Sequence, residues 1–164
     1  MMTSYVVFDL TSGNPIRWGQ CQDDLLEAQA SEGERALATS YLTVEGNRLI
    51  IWRMARDERD LHIDGGAMTP VGAVDSDSMA RSNISGATIA ALAAKTNNIP
   101  YAITWTLLDN STVTLDADAM IGMGMAVLAH VNACHDRARQ LRTEIEAASN
   151  MAELLAIDVG AGWP

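Results

Sequence analysis

The chain opens on a run rich in β-branched and aromatic residues, Tyr5-Val6-Val7-Phe8-Asp9-Leu10, followed by the turn chemistry of Ser12-Gly13-Asn14-Pro15. Apolar positions then alternate with polar or small ones through Ile16-Arg17-Trp18-Gly19-Gln20-Cys21. That order predicts a hairpin whose returning strand has one covered face. Gln22 to Ala30 starts with acidic residues and continues with helix formers, which predicts about two turns of helix before Gly33. Two further strand-like runs, Ala36 to Val44 and Arg48 to Met54, flank Glu45-Gly46-Asn47, where Gly or Asn can take positive φ. A second hairpin is expected there.

From Ala55 to about Asp75 the pattern breaks down. Arg56-Asp57-Glu58-Arg59-Asp60 is charged and Gly65-Gly66-Ala67-Met68-Thr69-Pro70 is flexible in composition, so a boundary is placed here. Residues 1–55 are expected to form a β-rich N-terminal module, 56–75 a linker, and 76–164 a C-terminal module, with a long surface loop within one domain as the alternative for 56–75. In the latter, Ser76-Asp77 offers N-cap chemistry, and Met79, Ile84, Ala87, Ala91 and Ala94 share one helix face up to Asn97-Asn98, with Pro100 as a stop. Tyr101 to Leu107 alternates, Asp109-Asn110-Ser111 turns the chain, and Thr112 to Leu115 runs back. This hairpin should set Trp105 near Val113.

A long helix starts at Asp116, whose carboxylate can cap it, and helix formers continue without proline to Ala148. Met120, Gly124, Val127, Val131, Cys134, Ala138, Leu141 and Ile145 follow alternating steps of four and three, the heptad spacing of a helix that contacts other helices. Ala119 to Val131 is apolar almost all round and is expected to be a buried spine; the amphipathic second half is expected to reach a partner. Gly122 and Gly124 would let another helix approach closely, with methionines filling the space around them. Ser149-Asn150 can cap a last short helix from Met151 to Ala156. Trp163, next to the terminus, either tucks back into a groove, which is the expectation, or serves a partner. Cys134, Ala138, Leu141, Ile145 and Trp163 are the candidate partner interface. The fold class expected is α+β: a small β-rich module, then helix, hairpin and one long helix.

Composition narrows the function. Eleven basic against twenty-one acidic residues give a formal charge of -10, which disfavours nucleic acid and anionic membrane as partners. The dense basic cluster Arg137, Arg139 and Arg142 is interleaved with Asp136, Glu144 and Glu146 and reads as a solvated helix face. The N-terminal residues lack a basic stretch followed by an apolar core, and no stretch approaches about 18 consecutive apolar residues, so synthesis as a soluble protein in a cytoplasm is expected. Two cysteines far apart in sequence make neither a disulfide framework nor a zinc finger.

The candidate chemistry is sparse. His130 and Cys134 share a helix face and could give two ligands to a metal, but His135 points elsewhere and a full site would need Cys21, His62 or a symmetry mate. Packing at a helix interface is the preferred reading. Cys134-His135-Asp136 contains the residue types of a nucleophilic triad, yet neighbours on a helix point in different directions. Asp23-Asp24 and Asp75/Asp77 sit at helix starts, where carboxylates stabilise free N–H groups. Gly122-x-Gly124 lies within a helix and is no nucleotide fingerprint. No catalytic, cofactor or metal residues are assigned, and the chain is expected not to be an enzyme.

Four strings carry a resemblance: Ser82-Asn83-Ile84-Ser85-Gly86-Ala87, Trp105-Thr106-Leu107-Leu108-Asp109-Asn110-Ser111, Ala129-His130-Val131-Asn132-Ala133-Cys134-His135, and Ile157-Asp158 through Gly162-Trp163-Pro164. Together, over about residues 75–164, they resemble a domain of unknown function that recurs in tailed-bacteriophage tail-fibre and fibre-assembly proteins. The resemblance implies a structural component of a phage tail, attached to a tail fibre or baseplate and located in the virion tail. Its partners would be fibre or baseplate proteins, or further copies of itself. It carries over no catalytic residues. A transient fibre chaperone is the alternative within that class. A receptor-binding protein that contacts a host glycan through Trp18 or Trp52 is the alternative outside it.

Overall fold

In a computed structural model the chain is α+β, and residues 1–12, 14–39 and 43–164 are described. Two compact units are present: Met1–Met54 with Arg142–Asp158, and Ala55–Leu141 with Val159–Pro164.

The first unit holds a three-stranded antiparallel sheet in the order β2-β1-β3, from β1 (Met2–Asp9), β2 (Pro15–Gln22) and β3 (Glu34–Ala38). Val6 pairs with Trp18 on one side and Leu37 on the other, and the register with β2 slips between Val7 and Phe8. The expected first hairpin is therefore present. Its turn is set by the Asp9 carboxylate, which accepts the Thr11 and Ser12 N–H groups at 3.1 and 2.6 Å. Gly13 of that turn lies outside the described residues. Asp23–Leu25 and Glu27–Gln29 are two single 3-10 turns in place of the expected helix, because so short a segment cannot recover the entropy of nucleating an α-helix.

The second hairpin is corrected. Ala36 to Ala38 belong to β3, Ser40 to Leu42 lie outside the described residues, and from Val44 the chain is helical: α1 runs Val44–Asp64. Trp52 is thus a helix residue. The buried positions Asn47, Ile50, Ile51, Ala55 and Ile63 recur at helical spacing. Glu45 pairs with Arg48 at i,i+3, and Glu58 lies beside His62 at i,i+4, neighbours that a helix brings together. The expected linker 56–75 is also corrected: α1 continues through it to Asp64. A small hairpin follows, β4 (Ala67–Thr69) with β5 (Gly72–Val74). Gly66 and Gly72 take φ of 105° and 126°, which lets so short a hairpin close. Buried Ser76 ties the segment down, its hydroxyl donating to the Ile63 carbonyl at 2.6 Å and accepting from the Gly66 N–H at 2.9 Å.

In the second unit, α2 (Ser78–Thr96) starts where Asp77 accepts the Ala80 N–H at 2.8 Å. β6 (Ile103–Thr106) and β7 (Thr112–Leu115) pair in the expected register, with Trp105 opposite Val113. α3 (Ala117–Ala147) begins at Asp116, whose carboxylate accepts the Ala119 N–H at 2.8 Å. The core of this unit joins Ala67 and Val74, Ile84 and Ala91 of α2, Leu115, and Met120, Met123 and Val127 of α3. At the end of the chain, Asn150 caps the short α4 (Met151–Leu155) through the Glu153 N–H, as the sequence suggests.

Candidate functional site

The contact stripe expected on the second half of α3 is internal. Cys134, Ala138, Leu141 and Ile145 are 0, 3, 0 and 1% exposed, so these side chains fill the interior of the chain and leave no surface for a partner. The reason lies in the spacing itself: a heptad stripe states that a helix face is covered, without stating whether the cover comes from the same chain. Trp163 is also engaged, as the tucked reading expects. Its ring stacks on His62 with centroids 5.4 Å apart and planes 14° from parallel, and its Nε1 donates to the Val159 carbonyl at 2.9 Å. Arg137 holds the same segment by donating from Nε to the Ala161 carbonyl at 2.9 Å.

The uncovered apolar surface is on the half of α3 expected to be a spine. Met120, Met123 and Val127 turn into the core, while Met125 and Leu128 are 58 and 52% exposed. α3 is long and apolar enough, by length and composition, to span a membrane, yet only 22% of its most apolar stretch is buried. α2 runs beside it with Ile89 67% exposed and Leu92 exposed, and Met79, expected on the inner face, faces outward as well.

Between the two helices lies a hollow of about 330 Å³, formed by Ile84, Thr88 and Ile89 of α2 and Met125, Leu128 and Val131 of α3. Its depth depends on Gly124. A Cβ at that position would sit 2.2 Å from Thr88 Oγ1 and 3.2 Å from both Thr88 Cβ and Cγ2, so the helices approach there only because no side chain intervenes. Thr88 Oγ1 is buried without a hydrogen-bond partner. At one end Arg81 is fixed by donating to Asp64 Oδ1 at 2.7 Å and to the Ser76 carbonyl. Gly122, by contrast, has open space around it. What this arrangement can do chemically is bind: it is an apolar trough with one fixed cation at its end.

The residues weighed for catalysis are arranged otherwise. His130 Nε2 lies 2.9 Å from the His62 carbonyl, which can only accept, so this nitrogen carries a proton and donates. It therefore offers no lone pair to a metal or to the thiol of Cys134, whose Sγ is 3.8 Å away. Burial pushes the Cys134 thiol up from its ordinary value, which keeps it protonated. Asp136 is paired with Arg139 on its own helix, one turn on, and does not meet His135 or Cys134 as a triad would require. Among the described residues no three His, Cys, Asp or Glu side chains converge. In the basic cluster, Arg139 and Arg142 pair with Asp136 and Glu146, as a solvated face would.

Sequence reasoning missed Leu128, Ile89 and Thr88, and took Met125 for a filler of space around the Gly122–Gly124 approach, whereas its side chain is largely exposed. The signal was present in the stretch that is apolar all round: one face of such a helix suffices for a core, and the remainder stays exposed on this chain.

Among known proteins, a family model described as a domain of unknown function (DUF4376) matches residues 47–161. The match includes most of α1, and so begins well before residue 75, where the resemblance seen in the sequence starts. No curated protein and no solved structure matches the chain.

Proposed function

The chain belongs to the DUF4376 family, and on that premise we propose that it is a structural component of a bacteriophage tail, attached to a tail fibre or baseplate and acting in fibre assembly or attachment. The observation that carries the assembly reading is the trough between α2 and α3, with Ile89, Met125 and Leu128 exposed along its rim. Contiguous exposed apolar surface of this kind marks interaction sites on soluble proteins. The occupant is an amphipathic helix of the fibre or baseplate partner. A trough between two packed helices accepts a third by the same kind of packing that joins the first two, and its apolar anchors at i, i+3/i+4 and i+7 would fill the space above Gly124. A bilayer is the poorer cover, because Met120, Met123 and Val127 on the opposite side of α3 are already packed in a protein core. The phage setting rests on the resemblance of residues 82–87, 105–111, 129–135 and 157–164 to tail-fibre and fibre-assembly proteins.

The test is the solution mass of the chain with and without the neighbouring fibre protein, repeated with Met125→Asp and Leu128→Asp. Both side chains are more than half exposed, so the variants should keep the circular dichroism of the parent. A complex that forms with the parent and weakens by about tenfold or more in each variant supports the proposal. A monomer that ignores the fibre sinks it. Stoichiometric presence in purified virions, read by mass spectrometry, separates a resident tail component from a chaperone that leaves.

A further inference from the structure

On the two helices that form the trough, charge stops at the ends. α2 carries no charged side chain between Arg81 and Lys95, and α3 carries none between Asp118 and Asp136, its two histidines aside. The exposed large apolar side chains in that interval stand in two ranks at i,i+3 spacing, Ile89 and Leu92 on α2 and Met125 and Leu128 on α3. The helices are antiparallel: Thr88 meets Gly124, and further along α2 Lys95 is paired with Asp118, which precedes Gly124 on α3. A face made to attract a basic partner would display some of the twenty-one acidic residues. Their exclusion instead removes the repulsion that a second chain of charge -10 would meet there.

We propose that in the free chain this face is covered by the same face of a second copy, so that self-association closes the trough until the fibre helix displaces it. The competition with the fibre rests on the docking proposed above, whereas the pairing of copies stands without it. The charges also select the arrangement. A two-fold axis running along the helices lays α2 of each copy over α3 of the other. Lys95 then faces the partner's Asp118, and Asp118 faces the partner's Lys95, so four charges alternate in sign at one end while the apolar ranks close over each other. The other two-fold arrangement, α2 over α2 in opposite directions, sets Lys95 against the partner's Arg81, like charge against like.

Sedimentation equilibrium of the full-length chain over about 1–200 µM tests this, and a reversible dimer with Kd on the order of 10 µM is expected. Met125→Asp and Leu128→Asp, both at exposed positions, should keep the circular dichroism of the parent and weaken the dimer by about tenfold or more. Met79→Asp also removes an exposed apolar side chain, but about two and a half turns before Thr88 it lies on the opposite side of α2, and it should leave the dimer unchanged. Lys95→Glu and Asp118→Lys, again at exposed positions, should each weaken the dimer, because each gathers four like charges at one end. An equimolar mixture of these two variants should regain the affinity of the parent, since every charge then meets its opposite across the interface. An effect confined to one chain is not rescued by mixing. A chain that stays monomeric at the top of the concentration range overturns the proposal, as does a dimer insensitive to Met125→Asp and Leu128→Asp, a trimer, or a mixture no tighter than its components. Added fibre protein should replace the dimer by a complex holding one copy, and a fibre complex that retains the dimer would put the two contacts on different faces and overturn the shared site. A dimer that the fibre leaves untouched keeps the self-association and sinks the docking reading, while a monomer that binds the fibre does the reverse.

Discussion

Arg17 and Glu34 hold the first unit through a two-pronged contact. Arg17 Nη1 reaches Glu34 Oε1 at 2.8 Å, and Nη2 reaches both Glu34 Oε2 and the Gln29 carbonyl at 2.5 Å. The Ser31 N–H adds a bond to the same carboxylate at 2.8 Å, and Tyr5 donates to the Gln29 side chain at 2.9 Å. Two strands that do not neighbour each other are thereby tied to the 3-10 segment between them. The Arg17 guanidinium, with the Ser31 N–H, lowers the Glu34 carboxyl from 4.5 to about 2. A carboxyl that is more acidic in the folded chain contributes stability above its unfolded value, and the contribution fades as pH falls from 4.5 to about 2. Glu34→Gln should therefore lower the thermal midpoint at neutral pH, and its difference from the parent should close across that acid range. The pair is solvent-accessible, so the effect is modest and shrinks with added salt. Circular dichroism melts from neutral pH to pH 2 would measure it, and a constant difference at every pH would contradict the assignment.

Among the elements, the helix crossing at Gly124 gives the sharpest contrast. Gly124→Ala places a methyl group against Thr88 and should destabilise the protein by about 1–3 kcal/mol through overpacking. Gly122→Ala, two residues away and in open space, should instead stabilise it by about 0.5–1 kcal/mol, the ordinary gain from replacing glycine within a helix. Adding Thr88→Ala to Gly124→Ala should recover most of the loss, and urea denaturation of the parent, Thr88→Ala, Gly124→Ala and the double variant closes the cycle. The sequence made this crossing partly legible, since paired glycines in an apolar helix announce a close approach. It did not say which of the two would be used, because that depends on the rotation of α3 about its axis. The same distinction explains the rest of the reading. Helix starts at Asp77, Asp116 and Asn150 and the Trp105–Val113 pairing depend on residues close in sequence, and they were readable. α1 was not, because Arg48 to Met54 resembles a strand in a short window and Glu45-Gly46-Asn47 resembles a turn. Only over its full length do Asn47, Ile50, Ile51, Ala55 and Ile63 show the helical period. The trough was hidden for another reason: in a stretch that is apolar all round, spacing does not say which face the core takes and which it leaves exposed.

For the molecule as a whole, two of the three divisions between its units, at residues 54/55 and 141/142, fall inside α1 and α3, and the third, at 158/159, follows α4. A flexible linker at 56–75 would be open to trypsin at Arg56 and Arg59. Within α1 these bonds are held in a helical backbone, and a protease needs an extended one. Limited digestion of the native chain should leave both sites uncut under conditions that cleave the unfolded chain within minutes, with fragments identified by mass spectrometry. Early cleavage at Arg56 or Arg59 would restore the linker.

The absence of a side chain at Gly124 has a consequence for how a partner could be exchanged. The floor of the trough is set by backbone against Thr88, and in the proposed docking of a helix its selectivity would reside in Ile89, Met125 and Leu128, which are largely outside the core. Depth and specificity are thus written in different residues. On that proposal, rim substitutions would retune which helix is accepted at little expense to folding, and the receptacle would keep its dimensions while its preference drifted.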